Sequence, residues 1–92
     1  KIVAGSGQML AQTYLKQGAL VPLHAHASEQ MTYVLEGAVR FVVQGQEIVV
    51  REGEVLHSPA MVPHQAEVLE DTFQSDVFSP GRSDWLEFVE PG

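Results

Sequence analysis

The sequence predicts an all-β domain, a sandwich or barrel built from about seven to nine short strands. Three observations point there. Runs of β-branched and aromatic residues of strand length recur along the 92 residues. Pro22, Gly53, Pro59, Pro63 and Pro80 punctuate the chain at short intervals, and helix interiors reject prolines spaced this closely. No segment sustains a helical apolar period over three turns. Repeats, low-complexity tracts and linkers are absent, so residues 1–92 read as one domain.

The elements follow in chain order. "AQTYLKQG" (Ala11 to Gly18) alternates loosely and ends in glycine, as a strand does. "HAHASEQ" (His24 to Gln30) comes next. Residues i and i+2 of a strand point to one face, so His24 and His26 are expected to project together. Gln30 follows the Ala27-Ser28-Glu29 turn, from where it can reach back to them. "MTYVLEG" (Met31 to Gly37) is an apolar run expected to stop at a Glu-Gly turn. Tyr33, alternating with Thr32 and Val34, should face away from the histidines and is a candidate interface residue. "VRFVVQGQEIVV" (Val39 to Val50) is a hairpin around Gln44-Gly45-Gln46. His64 in "MVPHQAEV" begins a strand after a proline turn. His57, seven positions earlier, reads as a pocket-wall or hydrogen-bonded core histidine and not as a ligand. Near the C-terminus, Asp76 and Phe78 share strand parity, so both can face the interior. Arg82 follows a turn, and Trp85 is expected to dock the C-terminal segment or cover the barrel mouth.

Composition excludes several classes. With 12 acidic against 5 basic residues, the net charge of −7 opposes binding to a phosphate backbone. The basic residues Lys1, Lys16, Arg40, Arg51 and Arg82 are too scattered to form a nucleic-acid face. No apolar stretch approaches the roughly 18–20 residues that span a bilayer, and no signal-peptide pattern is present. The expected compartment is the cytoplasm. The absence of cysteine removes disulfides and thiolate metal sites. A domain this small buries only about 60–70% of its unfolded surface, so a bound metal or a partner subunit is expected to add stability. "TYVL" and "FVV" are apolar at both parities, so both faces of these strands want cover. That predicts a two-fold homodimer.

His24, His26 and His64 with Gln30 make a plausible cation site. Three neutral nitrogens and an amide oxygen would hold one divalent first-row metal, with positions left for water or substrate. Nickel, zinc, iron and manganese all accept such ligands.

The spacing carries a family resemblance. Gly18, five residues, His24-x-His26, three residues, Gln30, six residues, Gly37 resembles the first motif of the cupins (residues 18–37). Gly53, five residues, Pro59, then His64 resembles the second (residues 53–68), with Met61 where glycine is usual and Val68 where asparagine is usual. The resemblance implies a cupin jelly-roll, or double-stranded β-helix barrel. "HAHASEQ", "YVLEG", "VPH" and "DVFSPGRSDW" are further similar to the pectin-degradation cupins, which convert 4,5-unsaturated monouronates from pectin or alginate into linear keto sugars. That similarity implies His24, His26, Gln30 and His64 as metal ligands and Asp76, Phe78 and Arg82 as active-site residues. A small acidic sugar would be the substrate. Gly81 stands where the family usually has a second proline.

Taken on their own, the residues leave alternatives. Asp76 can be a turn or strand-edge acid in a plain salt bridge with Arg82, Phe78 ordinary core packing, and Arg82 a solvated loop cation. Another metal-dependent cupin enzyme, such as a dioxygenase or isomerase, and a non-catalytic sugar- or metal-binding module are the competing functions.

Overall fold

The computed structural model describes residues 1–82. Among these, the chain forms seven strands and no helix: β1 (Ile2–Ala4), β2 (Met9–Leu15), β3 (Leu20–His24), β4 (Glu29–Val43), β5 (Gln46–Arg51), β6 (Val55–Ser58) and β7 (His64–Ser79). The all-β expectation holds. Two strands are not short, however, since β4 has 15 residues and β7 has 16.

These two strands pair antiparallel along their whole length, from Glu29↔Ser79 to Val43↔His64. The register shifts around Gly37, so the predicted Glu-Gly turn is instead a bulge within β4. Gly37 has a φ of 99°, and a Cβ there would lie 2.5 Å from both Asp71 O and Thr72 Oγ1. Conformation and space both demand glycine at this position. Local sequence suggested that the run ends here, but pairing with β7 carries it on.

The bend divides one seven-stranded sheet into two halves. In the first, β1, β2, the C-terminal half of β7, the N-terminal half of β4 and β6 lie side by side. In the second, β3, the N-terminal half of β7, the C-terminal half of β4 and β5 do so. Inward residues of both halves make the core. Val34, Val39, Phe41, Val43, Val50, Leu56 and Ala66 form one cluster; Met9, Ala11 and Phe78 form the other. Each large side chain so buried contributes about 1.5–3 kcal/mol. The hairpin read around Gln44-Gly45-Gln46 is present with a two-residue loop, since Gln46 already pairs with Val43, and φ is 52° and 74° at Gln44 and Gly45. Positive φ at both matches the twist of the flanking strands.

Alternation on β4 sorts its residues sharply. Thr32 is fully buried, while its neighbours Met31 and Tyr33 are 45% and 44% exposed. Val55 on β6 lies opposite Tyr33 and is also exposed. The outer surface of the first half therefore has an apolar centre. Among the described residues, no helix is long and apolar enough to cross a membrane.

Candidate metal centre

The three histidines converge from different places. His24 ends β3 and lies opposite His64, which opens β7. His26 lies past the strand end, so shared strand parity does not bring it to His24. Instead, the His26 carbonyl accepts from the Met61 amide at 2.8 Å, and its ring Nδ1 meets Ser28 O at 2.8 Å. Met61 adopts a φ of 61°, the left-handed conformation that favours glycine. That is a local reason for the glycine usual at this point of the second motif. Ring centroids are 4.4 Å apart for His24 and His64, 4.9 Å for His26 and His64, and 5.4 Å for His24 and His26.

One pattern orients all three rings. Nδ1 of His24 meets Pro22 O at 2.9 Å, and Nδ1 of His64 meets Val62 O at 3.0 Å, as Nδ1 of His26 meets Ser28 O. A carbonyl only accepts, so each Nδ1 donates and each neutral ring keeps its lone pair on Nε2. Such backbone partners are what hold metal-binding histidines in one tautomer. The ligand atoms offered by the three rings lie within 4.8 Å of one another, so the group could hold a metal ion. Burial pushes the His64 imidazole below its ordinary pKa. The Val62 carbonyl opposes this, while the charges of His24, His26 and Arg82 reinforce it. A neutral ring is the form that binds metal.

Gln30, at the start of β4, supplies a further observation. Its Nε2 donates to Thr32 Oγ1 at 3.1 Å and to Asp76 Oδ1 at 3.0 Å, which orients the amide. Oε1 is then the atom that meets His26 Nε2, at 3.1 Å. Oxygen and nitrogen lone pairs facing each other repel unless a cation or a proton lies between them. The donor set therefore fits a cation. A glutamate here would also place a carboxylate oxygen against Asp76, so the amide suits the second contact as well as the first.

Asp76 lies in mid-strand, with β2 on one side of β7 and β4 on the other, and is only 2% exposed. It is neither a turn residue nor a strand-edge acid. Its Oδ1 accepts from Thr32 Oγ1 at 2.6 Å and from Gln30, and its Oδ2 accepts from Gln74 Nε2 at 3.0 Å. Burial pushes this carboxyl above its ordinary pKa. The donors on Thr32, Gln30 and Gln74, and then the charge of Arg82, pull it partly back. Phe78 packs with Met9 and Ala11 and is fully buried. Its ring also stands edge-on to His26 at 5.9 Å and lies 5.5 Å from the Arg82 guanidinium carbon. Core packing and cavity lining are thus both true of Phe78. At position 81, a Cβ would come 3.3 Å from Met9 Cβ, so the glycine eases tight packing against Met9 just before Arg82.

A cavity of about 280 Å³ joins these groups, with His24, His64, Gln30, Asp76, Phe78 and Arg82 in its wall. That is near the lower end of ligand-pocket sizes, roughly 300–1,000 Å³. A groove of about 460 Å³ elsewhere, over Leu20, Arg40 and Glu67, holds none of the histidines. His57 corrects the sequence reading. It is exposed on β6 and pairs with Glu29 at 2.6 Å, away from the cavity. Trp85 lies outside the described residues. Sequence reasoning missed Thr32 and Gln74. The available signal was parity, since Thr32 is two residues from Gln30 and Gln74 two from Asp76.

Comparison with known proteins agrees with this architecture. Residues 11–78 match the cupin domain family. KdgF from Halomonas sp. superposes with a TM-score of 0.86 at 30% identity, covering 91% of this chain and 79% of that one. Oxalate decarboxylase from Bacillus subtilis, studied for its Mn(II) centres, superposes with a TM-score of 0.73 at 27% identity, covering 83% of this chain and 22% of that one. An uncharacterized protein of Methanocaldococcus jannaschii, MJ1618, is 31% identical over 67 residues, or 72% of this chain. The chain spans about half, 54%, of that relative's length.

Proposed function

The chain belongs to the cupin domain family, and from that premise we propose that it is a metal-dependent enzyme that linearises 4,5-unsaturated monouronates. The observation that carries the reading is the double contact of Gln30, whose amide touches the histidine cluster at one end and the buried Asp76 at the other. A cation site and a proton-carrying group are thereby held a few ångströms apart in one small cavity. The likeness to KdgF, together with the pectin-degradation motifs, supports the substrate class.

His24, His26, His64 and Gln30 would hold one divalent transition metal, which when bound would supply Lewis acidity undiminished by any anionic ligand. The remaining work falls to the chain's own groups. A 4,5-unsaturated uronate is a cyclic hemiacetal whose ring oxygen is part of an enol ether. Opening it removes the anomeric hydroxyl proton, breaks the bond from carbon 1 to the ring oxygen, and leaves an aldehyde and an enol. The enol then loses its hydroxyl proton while carbon 4 gains one, giving the ketone, so no oxidant or reductant is consumed. Asp76 carries these protons between oxygen and carbon, and its raised pKa brings it toward the working range of such a group. Arg82 pairs with the substrate carboxylate through its planar guanidinium. Phe78 and the apolar wall limit water around the reacting carbons.

The decisive assay is optical. Linearisation destroys the conjugated enol ether, so metal-loaded protein is expected to remove the ultraviolet absorbance of an unsaturated monouronate well above the spontaneous rate. A rate equal to that background would overturn the uronate reading, leaving a cupin enzyme of another substrate or a binding module.

The same family context bears on assembly. Two copies pair through the outer surface of the first half-sheet, where Met31, Tyr33 and Val55 are exposed. Light scattering at micromolar concentration is expected to give twice the chain mass, and Tyr33→Lys with Val55→Lys is expected to halve it. A wild-type mass equal to one chain would remove this proposal.

A further inference from the structure

Gln74 is a second amide that holds Asp76. It lies on β7 two residues before Asp76, faces the same interior, and is 8% exposed. Its Nε2 donates to Asp76 Oδ2 at 3.0 Å. Its Oε1 is buried and meets no donor among the described residues. Leaving a carbonyl oxygen buried and unpaired is costly for folding. An apolar side chain of the same length would fill this place without that cost. The one thing the amide does that such a side chain would not is to grip Asp76.

The grip falls on a particular oxygen. A carboxylate has about four acceptor positions, two on each oxygen. Among the described residues, Oδ1 of Asp76 already takes two donors, Thr32 Oγ1 and Gln30 Nε2, whereas Oδ2 takes only Gln74. The remaining acceptor position is therefore on Oδ2. We infer that Oδ2 is the oxygen of Asp76 that meets the substrate, and that Gln74 is a positioning residue that fixes its direction. The inference rests on the uronate reading above and deepens it. Without Gln74, the carboxylate keeps both bonds at Oδ1 but is free to swing Oδ2 about them. Misdirection of this kind lowers the rate of a positioned reaction without weakening the binding of either metal or substrate.

The test uses metal-loaded wild type, Gln74→Met and Gln74→Glu with unsaturated monouronate, measuring kcat, KM, bound metal and melting temperature. Gln74→Met removes the donor at nearly constant length. It is expected to lower kcat about 10- to 100-fold, with KM and metal content unchanged and the melting temperature little changed, because relief of the unpaired Oε1 is offset by loss of the donor to the buried Oδ2. A merely structural role predicts that kcat falls only as folded, metal-loaded protein is lost, so a fall in kcat matched by a loss of bound metal overturns the inference. Unchanged kcat overturns it, and so does a rise in KM alone. Gln74→Glu keeps the shape but turns an oxygen toward Oδ2; it should lose at least as much kcat at neutral pH and decides the matter if the methionine variant does not fold. An inactive wild type brings down the uronate reading and this inference together, whereas an active wild type with unaffected variants removes only this one.

Discussion

Replacing Asp76 by asparagine is expected to lower turnover roughly a hundred- to ten-thousand-fold and, in the same protein, to raise the melting temperature of the metal-stripped form at neutral pH. The loss follows because asparagine cannot carry the proton. The gain follows from burial. Asp76 is nearly inaccessible, and its carboxyl is pushed above its ordinary value chiefly by desolvation. Between the unfolded and folded pKa values, the folded chain binds more protons than the unfolded one, so stability declines as pH rises. The contribution of Asp76 is fully present below the ordinary carboxylate value and is lost as pH rises through the folded value. Asparagine has no such dependence. Its Oδ1 can still accept from Thr32 and Gln30, and the Gln74 amide can turn so that its unpaired Oε1 accepts from the new Nδ2. That turn leaves one amide atom of Gln74 unpaired as before, so the gain in stability comes from removing the buried charge. Thermal melts of both proteins in chelator, across acidic to neutral pH, should show a difference that grows with pH. A variant that is less stable at neutral pH would contradict the desolvation account, and one with wild-type turnover would remove Asp76 from the reaction.

Loss of one imidazole should be as damaging to the metal. His64→Ala is expected to reduce affinity for a divalent transition metal by more than the roughly 10–100-fold cost of losing a supporting hydrogen-bond partner, and to take activity with it. Wild-type protein should melt at higher temperature as metal is added, because an ion that binds only the folded state stabilises it. The alanine variant should lose most of that response. Protons compete with metal for imidazole, but burial lowers the His64 pKa. Competition at this ligand therefore sets in at a lower pH than for a free histidine. Metal content by elemental analysis after dialysis, and melting curves with and without added ion, check both statements. A variant that keeps stoichiometric metal would mean that the three rings are not a single site.

His57 marks a limit of local reading. Between two apolar residues and a Ser-Pro turn it looks like a core or pocket histidine, yet β6 pairs with β4 so that Met31 and His57 lie opposite each other. The ring therefore stands outside, against Glu29. Gly37 marks another limit. A glycine after glutamate at the end of an apolar run is an ordinary stop signal, and only the continued pairing with β7 turns it into a bend. The spacing of His24 and His26 suggests one shared strand face, yet His26 meets the other two rings from a loop tied to Met61.

By itself, the sequence determined the strand-rich class, the tight hairpin at Gln44 and Gly45, and the shared inward parity of Asp76 and Phe78. These are consequences of covalent geometry over a few residues, where a period of two and a φ preference leave little choice. The tertiary structure alone decided that β4 and β7 run unbroken past each other, and that Thr32, Gln30 and Gln74 all close on one carboxylate. Thr32 and Gln30 lie 44 and 46 residues from Asp76 along the chain. Contacts that distant depend on register between strands, and a slip of one residue would turn every one of those groups to the opposite face.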